Sequence, residues 1–304
     1  MIHLKNNSEI EKLYRAGQVV KNTLFLMEEN IKPGITTLEL DSIAEEYIKS
    51  QKCIPGFKGL YGFPGTLCVS VDDEVVHGVP KDKPLVEGQI IGIDVGSIYE
   101  GFYGDHAKTF CVGKVSDEAR KLVDSTKKSL DLGIKAAQVN GYIGDIGYAV
   151  QQFAESEGYS VVRELVGHGI GSKLHEEPQV PNYGLKNTGP KIEVGMCIAI
   201  EPMINLGSKD IYTKDDSWTV CTKDGKLSAH FEHSIAITEN GTKVLTYGGL
   251  LHDFSTQNIY CSVAIANFKT RRIITEKCEQ DGVKIILIKA DNCFVMDEVI
   301  IGEG

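Results

Sequence analysis

The sequence predicts an α+β protein made of two similar halves, and two observations support this fold class. Segments with helical periodicity come before segments with β-strand character, and this order occurs twice along the chain. In addition, residues 86–94 match residues 193–201, because in both a glycine is followed six positions later by an acidic residue that ends an apolar run. Such a repeat predicts that the two carboxylates meet at a pseudo-twofold axis.

The first half should open with two helices. Ser8 and Glu11 form a capping-box pattern ahead of apolar residues at helical spacing, and the first helix should end before Pro33. Thr36 and Glu39 form a second capping box, which predicts that the next helix begins there. Runs rich in apolar residues then predict strands over residues 67–71, 90–95 and 108–112.

The second half repeats this order, and a shorter segment follows it. Helices are predicted over about 117–139 and 145–157, and strands over 161–164, 197–200, 218–222 and 231–238. Residues 250–304 contain β-prone runs without helix caps and form no third repeat. We therefore predict one domain over residues 1–249, with halves of about 8–115 and 116–245, and a small β-rich C-terminal extension over 250–304. That extension could cover a sheet edge, since exposed edges are a liability.

The composition excludes several classes of protein. A net charge of −10 argues against nucleic-acid binding, which requires basic surfaces. The eight cysteines include no Cys-x-x-Cys pair and lie in apolar surroundings, as expected of reduced thiols in a cytosolic protein. Neither a signal peptide nor a membrane-spanning run is evident in the sequence. We therefore expect a soluble, cytoplasmic protein without membrane contact.

Asp94 and Asp105 form the first candidate site. They flank Tyr99-Glu100-Gly101, a plausible hairpin turn, and their spacing predicts that the two aspartates face each other across an antiparallel pair. Two carboxylates so close repel each other, and a bound cation would relieve the repulsion. Taken alone, two aspartates that point into solvent are an equally good interpretation.

The second half adds three residues that favour the metal site. His168 lies among glycines that permit close approach, Glu201 ends an apolar strand, and Glu232 follows the Asp224-Gly225 turn on a return strand. Four carboxylates and one imidazole favour Fe(II), Mn(II) or Co(II), although Zn(II) is possible. Five such residues suit two ions roughly 3.5–4 Å apart, which could hold a hydroxide and polarise a carbonyl. Amide hydrolysis follows from those two capabilities.

The motifs, taken in order, resemble the type I methionine aminopeptidases. They are residues 69–80, 93–95, 104–105, 167–171, 175–178, 201–203 and 228–233, and the resemblance covers about residues 8–245. It implies the "pita-bread" fold, with two pseudo-symmetric halves around a central curved antiparallel sheet. It also implies a monomer that removes the N-terminal methionine of nascent polypeptides near the ribosome, preferably before a small second residue.

The resemblance also assigns roles to individual residues. It implies five metal ligands, of which the second and the last bridge two ions: Asp94, Asp105, His168, Glu201 and Glu232. Glu201 would further act as general base, while His77 would contact the substrate and His175 would stabilise the oxyanion. The methionine pocket would comprise Phe57, Tyr61, Phe63, Cys68, Leu174 and Trp218, together with the two histidines.

Four of these positions depart from the family pattern. Phe63 stands where tyrosine is common, Phe57 is bulkier than the usual residue, and Leu174 replaces an aromatic residue. His230 occupies a position where glutamine is common, two residues before Glu232. Without the resemblance, His77 and His175 would be ordinary surface histidines, and Trp218, the single tryptophan, would be an ordinary core residue.

Three alternatives follow from the same sequence. A proline-specific peptidase of the same fold usually has a sizeable N-terminal domain, whereas here the first helix is predicted by Ser8. A non-catalytic relative that only binds partners would have lost metal ligands, but all five positions are present. The 33 residues between His168 and Glu201 leave no room for the insertion of the type II enzymes, so the chain resembles the short prokaryotic form.

Overall fold

The computed structural model describes residues 2–246 and the backbone of residues 260–261 and 284–285. The chain divides into two compact units, residues 1–247 and residues 248–304. In the second unit, Tyr260–Cys261 and Lys284–Ile285 form a parallel pair of short strands. The rest of the predicted β-rich extension over 250–304 lies outside the described residues.

Helices precede strands in each half of the first unit. The first half contains helices α1 (Asn7–Asn30) and α2 (Thr37–Ser50), a 3₁₀ turn at Leu60–Gly62, and strands β1 (Ile54–Pro55), β2 (Leu67–Val71), β3 (Glu74–Val76), β4 (Ile90–Tyr99) and β5 (Phe102–Cys111). The second half contains α3 (Asp117–Ala136), α4 (Ile143–Ser156), β6 (Ser160–Val161), β7 (Gly167–Gly169), β8 (Glu176–Val180), β9 (Cys197–Ile200), β10 (Met203–Asn205), β11 (Ile211–Thr213), β12 (Val220–Thr222), β13 (Ser228–His230), β14 (His233–Thr238) and β15 (Gly241–Val244). Among the described residues, no helix is long and apolar enough to cross a membrane.

The caps of the first two helices test the sequence pattern. The predicted Ser8–Glu11 box is wrong, because the N-cap of α1 is Asn6. Its Oδ1 accepts the N–H groups of Ser8 and Glu9, and the Glu9 carboxylate accepts the N–H of Asn6. Asparagine caps as well as serine does, so the box two residues earlier forms instead. The predicted Thr36–Glu39 box of α2 is confirmed.

The two halves have equivalent backbone turns where their sequences match. Gly88 and Gly195 have φ of 96° and 92°, a region that favours glycine. The N–H of Gly88 donates to Val112, and that of Gly195 donates to Ile237. The two segments therefore enter β4 and β9 in the same way, and the predicted repeat is present in three dimensions.

Each half has its own apolar core beneath its helices. In the first half, α1 and α2 cover β2, β4 and β5, and the core includes Val20, Leu24, Met27, Leu40, Ile91 and Ile93. In the second half, α3 and α4 cover β9, β13 and β14, and the core includes Leu122, Leu130, Ile146, Ile198, Ile200 and Ile235. Helices on one face of antiparallel sheet confirm the predicted α+β class.

Several hydrogen bonds join the halves between β5 and residues 230–234, and three of these connections form a regular series of ties. The Thr109 hydroxyl donates to the carbonyl of His230 over 2.8 Å and accepts the N–H of His230 over 2.9 Å. The N–H of Glu232 donates to Ala107 over 2.9 Å, and the Ser234 hydroxyl donates to the carbonyl of Asp105 over 2.9 Å. From one tie to the next, the position in β5 decreases by two residues and the position in the other segment increases by two. This is the spacing of an antiparallel ladder.

Candidate metal centre

The β4–β5 hairpin places the two aspartates. In its register Asp94 pairs with Ala107, and Asp105 pairs with Gly96. The predicted direct pairing of the aspartates is therefore wrong by two residues, because the turn is Glu100-Gly101, with φ of 46° and 82°. Side chains two residues apart share a face, so the aspartates lie diagonally. Their carboxyl groups are still close enough for each to shift the pKa of the other.

His168 needs glycine on both sides, because β7 passes closely between other strands. A Cβ atom at Gly167 would lie 2.4 Å from the carbonyl oxygen of Ala199, and one at Gly169 would lie 2.2 Å from that of Glu177. Those separations are impossible for real side chains, so the glycines permit the central position of β7. The imidazole is buried, and its Nδ1 lies 2.9 Å from the carbonyl of Gly169, which leaves Nε2 to face the carboxylates.

The five candidate ligands come together around this imidazole. One ligand atom each from Asp105, His168 and Glu232 lie within 4.8 Å of one another. The Nε2 atom of His168 lies 3.7 Å from Asp105 Oδ2 and 3.6 Å from Glu201 Oε1. Asp94 belongs to the same group, because its carboxyl group and that of Asp105 each shift the pKa of the other. All five predicted ligands thus surround one small volume.

The protonation behaviour of these carboxyl groups reflects their burial. Burial raises the pKa of Asp94 and of Glu201 to about 7, although His230 and His168 respectively act against that rise. The pKa values of Asp105 and Glu232 lie still further above their ordinary range, because burial is reinforced by the neighbouring carboxylates. Four acids are held where ionisation is unfavourable without a compensating cation.

The donor set fits such a cation. Three buried carboxyl oxygens, Asp94 Oδ1, Asp105 Oδ1 and Glu232 Oε1, have no hydrogen-bond partner in the described part of the chain. A buried oxygen without a partner is costly, so these atoms require a ligand. Oxygen-rich donors with one imidazole suit a divalent first-row ion. The side chains present can therefore hold a metal.

Five further histidines lie around the cluster: His77, His106, His175, His230 and His233. His77 is partly buried, and burial with the nearby His230 lowers its pKa to about 4. The exposed ring of His175 meets the ring of His168 edge-on, with centroids 4.5 Å apart. His106 stacks on His233 with centroids 4.4 Å apart, and its Nδ1 bonds to the carbonyl of Glu232.

The predicted methionine pocket is largely a single apolar cluster. Phe57, Phe63, Cys68 and Leu174 are buried in it, and the partly buried ring of Trp218 meets that of Phe63 edge-on at 5.2 Å. Cys68 pairs with Asp94 across β2 and β4, so the cluster adjoins the carboxylates. Tyr61 is not brought into this cluster: its side chain is 77 % exposed, and its ring stacks on His175 at 6.3 Å.

The structure adds residues to which the sequence assigned no role. Leu60 and Val79 line the same apolar cluster, but they lie in loops where no periodicity marks the buried face. His230 is buried, and its Nε2 has no hydrogen-bond partner among the described residues and lies 3.6 Å from Glu201 Oε2. In the sequence, His230 was marked only by standing where glutamine is common. That difference did not indicate that its side chain would lie beside Glu201.

Comparison with known proteins agrees with this geometry. Residues 11–239 match the model of metallopeptidase family M24. The chain is 51 % identical to a methionine aminopeptidase of Clostridium perfringens over 246 residues, which is 81 % of this chain and 99 % of that protein. It is 49 % identical to methionine aminopeptidase 1 of Bacillus subtilis, with the same coverage.

Solved structures give the same result. A methionine aminopeptidase from Rickettsia prowazekii superposes with a TM-score of 0.80 at 40 % identity, over 81 % of this chain and all of that one. The prolidase of Pyrococcus furiosus reaches a TM-score of 0.64 at 22 % identity, over 80 % of this chain and 65 % of that one, which supports the shared pita-bread fold alone. The chain belongs to metallopeptidase family M24. The two curated relatives and the Rickettsia structure, which it matches over 81 % of its length, are methionine aminopeptidases.

Proposed function

We propose that this protein is a methionine aminopeptidase, which hydrolyses the peptide bond after an N-terminal methionine, preferably before a small second residue. The observation that carries the proposal is the convergence of Asp94, Asp105, His168, Glu201 and Glu232 beside an apolar pocket. An apolar pocket next to a cation site suits a substrate with an apolar side chain next to the bond that is cleaved.

In this proposal the five side chains hold two divalent ions. Asp105 and Glu232 would be shared between the two ions, since the carboxyl group of each interacts electrostatically with those of both Asp94 and Glu201. Fe(II), Mn(II) and Co(II) fit these donors best, and Zn(II) is also compatible. Bound ions would supply Lewis acidity and a water of lowered pKa.

The chain's own residues would carry the remaining steps. Glu201 would accept a proton from the attacking water and pass it to the leaving amine. Its Oε1 lies 3.6 Å from His168 Nε2 and its Oε2 lies 3.6 Å from His230 Nε2, so neither ring holds the carboxylate by a hydrogen bond. His77 and His175 would donate hydrogen bonds to the substrate carbonyl and to the oxyanion that develops from it. The apolar cluster would hold the methionine side chain and exclude water around it.

The proposed substrates are nascent polypeptides, met in the cytoplasm near the ribosome by a monomeric enzyme. The five described cysteines are free, and four of them are buried, in agreement with a reducing compartment. A peptide N-terminus can reach the site, since the rings of His175 and Tyr61 are exposed at its edge.

The test is a panel of peptides with different first residues, assayed with Mn(II), Fe(II), Co(II) and Zn(II) under reducing conditions. We expect cleavage of Met-Ala-Ser and little cleavage of peptides that begin with other residues. A chain that leaves Met-Ala-Ser intact and cleaves Xaa-Pro peptides would be a prolidase instead.

A variant of Glu201 tests the mechanism. Glu201→Gln should lower kcat by about 10²–10⁴-fold, because the general base is lost. The circular dichroism spectrum should remain that of the wild type, since a neutral side chain of the same shape suits this buried position. Full activity of Glu201→Gln would remove the residue from the proposed role.

A further inference from the structure

The N-terminal segment places a buried cation beside the candidate site. Lys5 is 6 % exposed, and its backbone N–H donates to the carbonyl of Gly195 over 2.7 Å. Its Nζ donates to Glu176 Oε2 over 2.6 Å and to the carbonyl of His3 over 2.9 Å. A charge that is almost fully removed from water needs such a close partner.

Glu176 directly follows His175 in sequence. Its Oε1 atom accepts the backbone N–H of Lys173, which closes the loop of residues 171–176 on itself. Although burial acts to raise the pKa of Glu176, the hydrogen bonds from Lys5 and Lys173 lower it below its ordinary value. The carboxylate is therefore charged, and it links the N-terminal segment to this loop.

His175 depends on the loop backbone for its position. The residue is exposed, and its described ring contacts are the edge of His168 and the face of Tyr61. The start of the loop is anchored where the N–H of Tyr103 donates to the carbonyl of Gly171 over 2.9 Å. Ser172 and Lys173 are exposed, whereas Leu174 is buried. At its other end the loop is held by the pairing of Glu176 with Gly169 at the start of β8 and by the bond between Lys5 and the Glu176 side chain.

We propose that Lys5 is a positioning residue, which acts through Glu176 to hold the imidazole of His175 where it meets the substrate. This inference rests on the proposed function. In the described part of the chain, the hydrogen bonds and ion pair of the Lys5 side chain involve none of the candidate metal ligands, so its effect should fall on the chemical step rather than on the binding of metal. A displacement of about 1 Å at such a group can cost about 10²-fold in rate.

The test compares Lys5→Met with the double variant Lys5→Met/Glu176→Met. The single variant leaves a buried carboxylate without its partner and should lose stability. The double variant removes both charges and should recover stability, so it stays folded even if the single variant does not. In the double variant we expect kcat on Met-Ala-Ser to fall about tenfold or more, with KM changed less than about twofold.

Two further measurements separate positioning from stability. Hydrogen exchange of amides in residues 171–176 should be faster in the double variant than in the wild type, with α3 unchanged. Titration with Mn(II) should give the wild-type affinity. Lys12→Met is the matched control. Lys12 also lies in the N-terminal region, but its ion pair with Glu100 is half-exposed, so its loss should leave kcat unchanged.

Wild-type kcat in a folded double variant would overturn the proposal, as would wild-type exchange in residues 171–176. If the wild type proves inactive on methionine peptides, the proposed function fails. The exchange result still decides whether the Lys5–Glu176 pair orders the loop of His175.

Discussion

The backbone N–H of Glu232 donates to the carbonyl of Ala107, which is the residue that pairs with Asp94 across the β4–β5 hairpin. The ties between Thr109 and His230 and between Asp105 and Ser234 flank this bond. Carboxylates from the two halves are therefore fixed to each other through main chain. Metal ligands held in this way keep their spacing before an ion arrives, so less ordering is needed on binding.

Metal binding should stabilise the fold. With Mn(II) at about 100 times its Kd, the gain is about 2.7 kcal/mol, which corresponds to a rise in Tm of roughly 5–10 °C for a domain of this size. Differential scanning fluorimetry with and without Mn(II) measures it. Asp105→Ala should abolish the shift, while Asp131→Ala, an exposed position on α3, should keep it. An equal shift in both variants would place the ion elsewhere.

Metal affinity should increase with pH. The pKa of Asp94 and that of Glu201 are raised to about 7 by burial, so at pH 6 both groups hold protons that a cation must displace. The affinity for Mn(II) should therefore rise between pH 6 and 8, with proton release that declines over the same interval. Calorimetry in buffers of different ionisation enthalpy counts the protons. Asp94→Asn should release fewer, and a pH-independent affinity would contradict the raised pKa values.

Replacing glycine by alanine in the turn of the β4–β5 hairpin should lower the stability of the protein. Gly101 has φ of 82°, and a Cβ there meets nothing within 4 Å, so Gly101→Ala tests backbone strain alone. We expect a loss of about 1–2 kcal/mol in the free energy of unfolding, measured with urea. Gly92→Ala is the control in the same hairpin, because its Cβ would lie 3.6 Å from the nearest atom and its φ is ordinary for a strand. Equal losses at both positions would refute the explanation.

Trp218 should contribute to substrate binding rather than to the rate of the chemical step. Its ring forms one wall of the apolar cluster through the contact with Phe63. Trp218→Ala should raise KM for Met-Ala-Ser by about 10–100-fold, with kcat nearly unchanged. This change in KM corresponds to the loss of about 1.5–3 kcal/mol of binding free energy from apolar burial. Trp218→Phe should retain most of the affinity. A fall in kcat at constant KM would instead assign Trp218 to positioning.

Much of the fold could be predicted because its signals are local. The Thr36–Glu39 cap and the strands at Leu67–Val71 and Cys197–Ile200 occur at the predicted residues. The glycine-to-acid spacing also identified Asp94 and Glu201 as equivalent residues, each six positions after an equivalent turn glycine. Capping boxes and apolar runs depend on side chains within a few residues, and a sequence displays those directly.

Other features depend on parts of the chain that are distant in sequence. The register of the β4–β5 hairpin follows from the positive φ at Glu100, which composition does not reveal. Strand β7 escaped prediction because its residues are two glycines and His168, and only the neighbouring strands explain why side chains are excluded. The contact of His230 with Glu201 and that of Lys5 with Glu176 join remote segments, so neither has a local pattern.

The three ties between β5 and residues 230–234 bear on how the protein is made. A nascent chain that has just completed the β4–β5 hairpin contains Asp94 and Asp105 but not yet the candidate ligands of the second half. The last of the three ties also requires Ser234. Contacts so remote in sequence form late in folding, because closing a long loop costs entropy before it yields contacts. Competence for metal should therefore appear abruptly once residues up to Ser234 have been made, and never in a released fragment of either half.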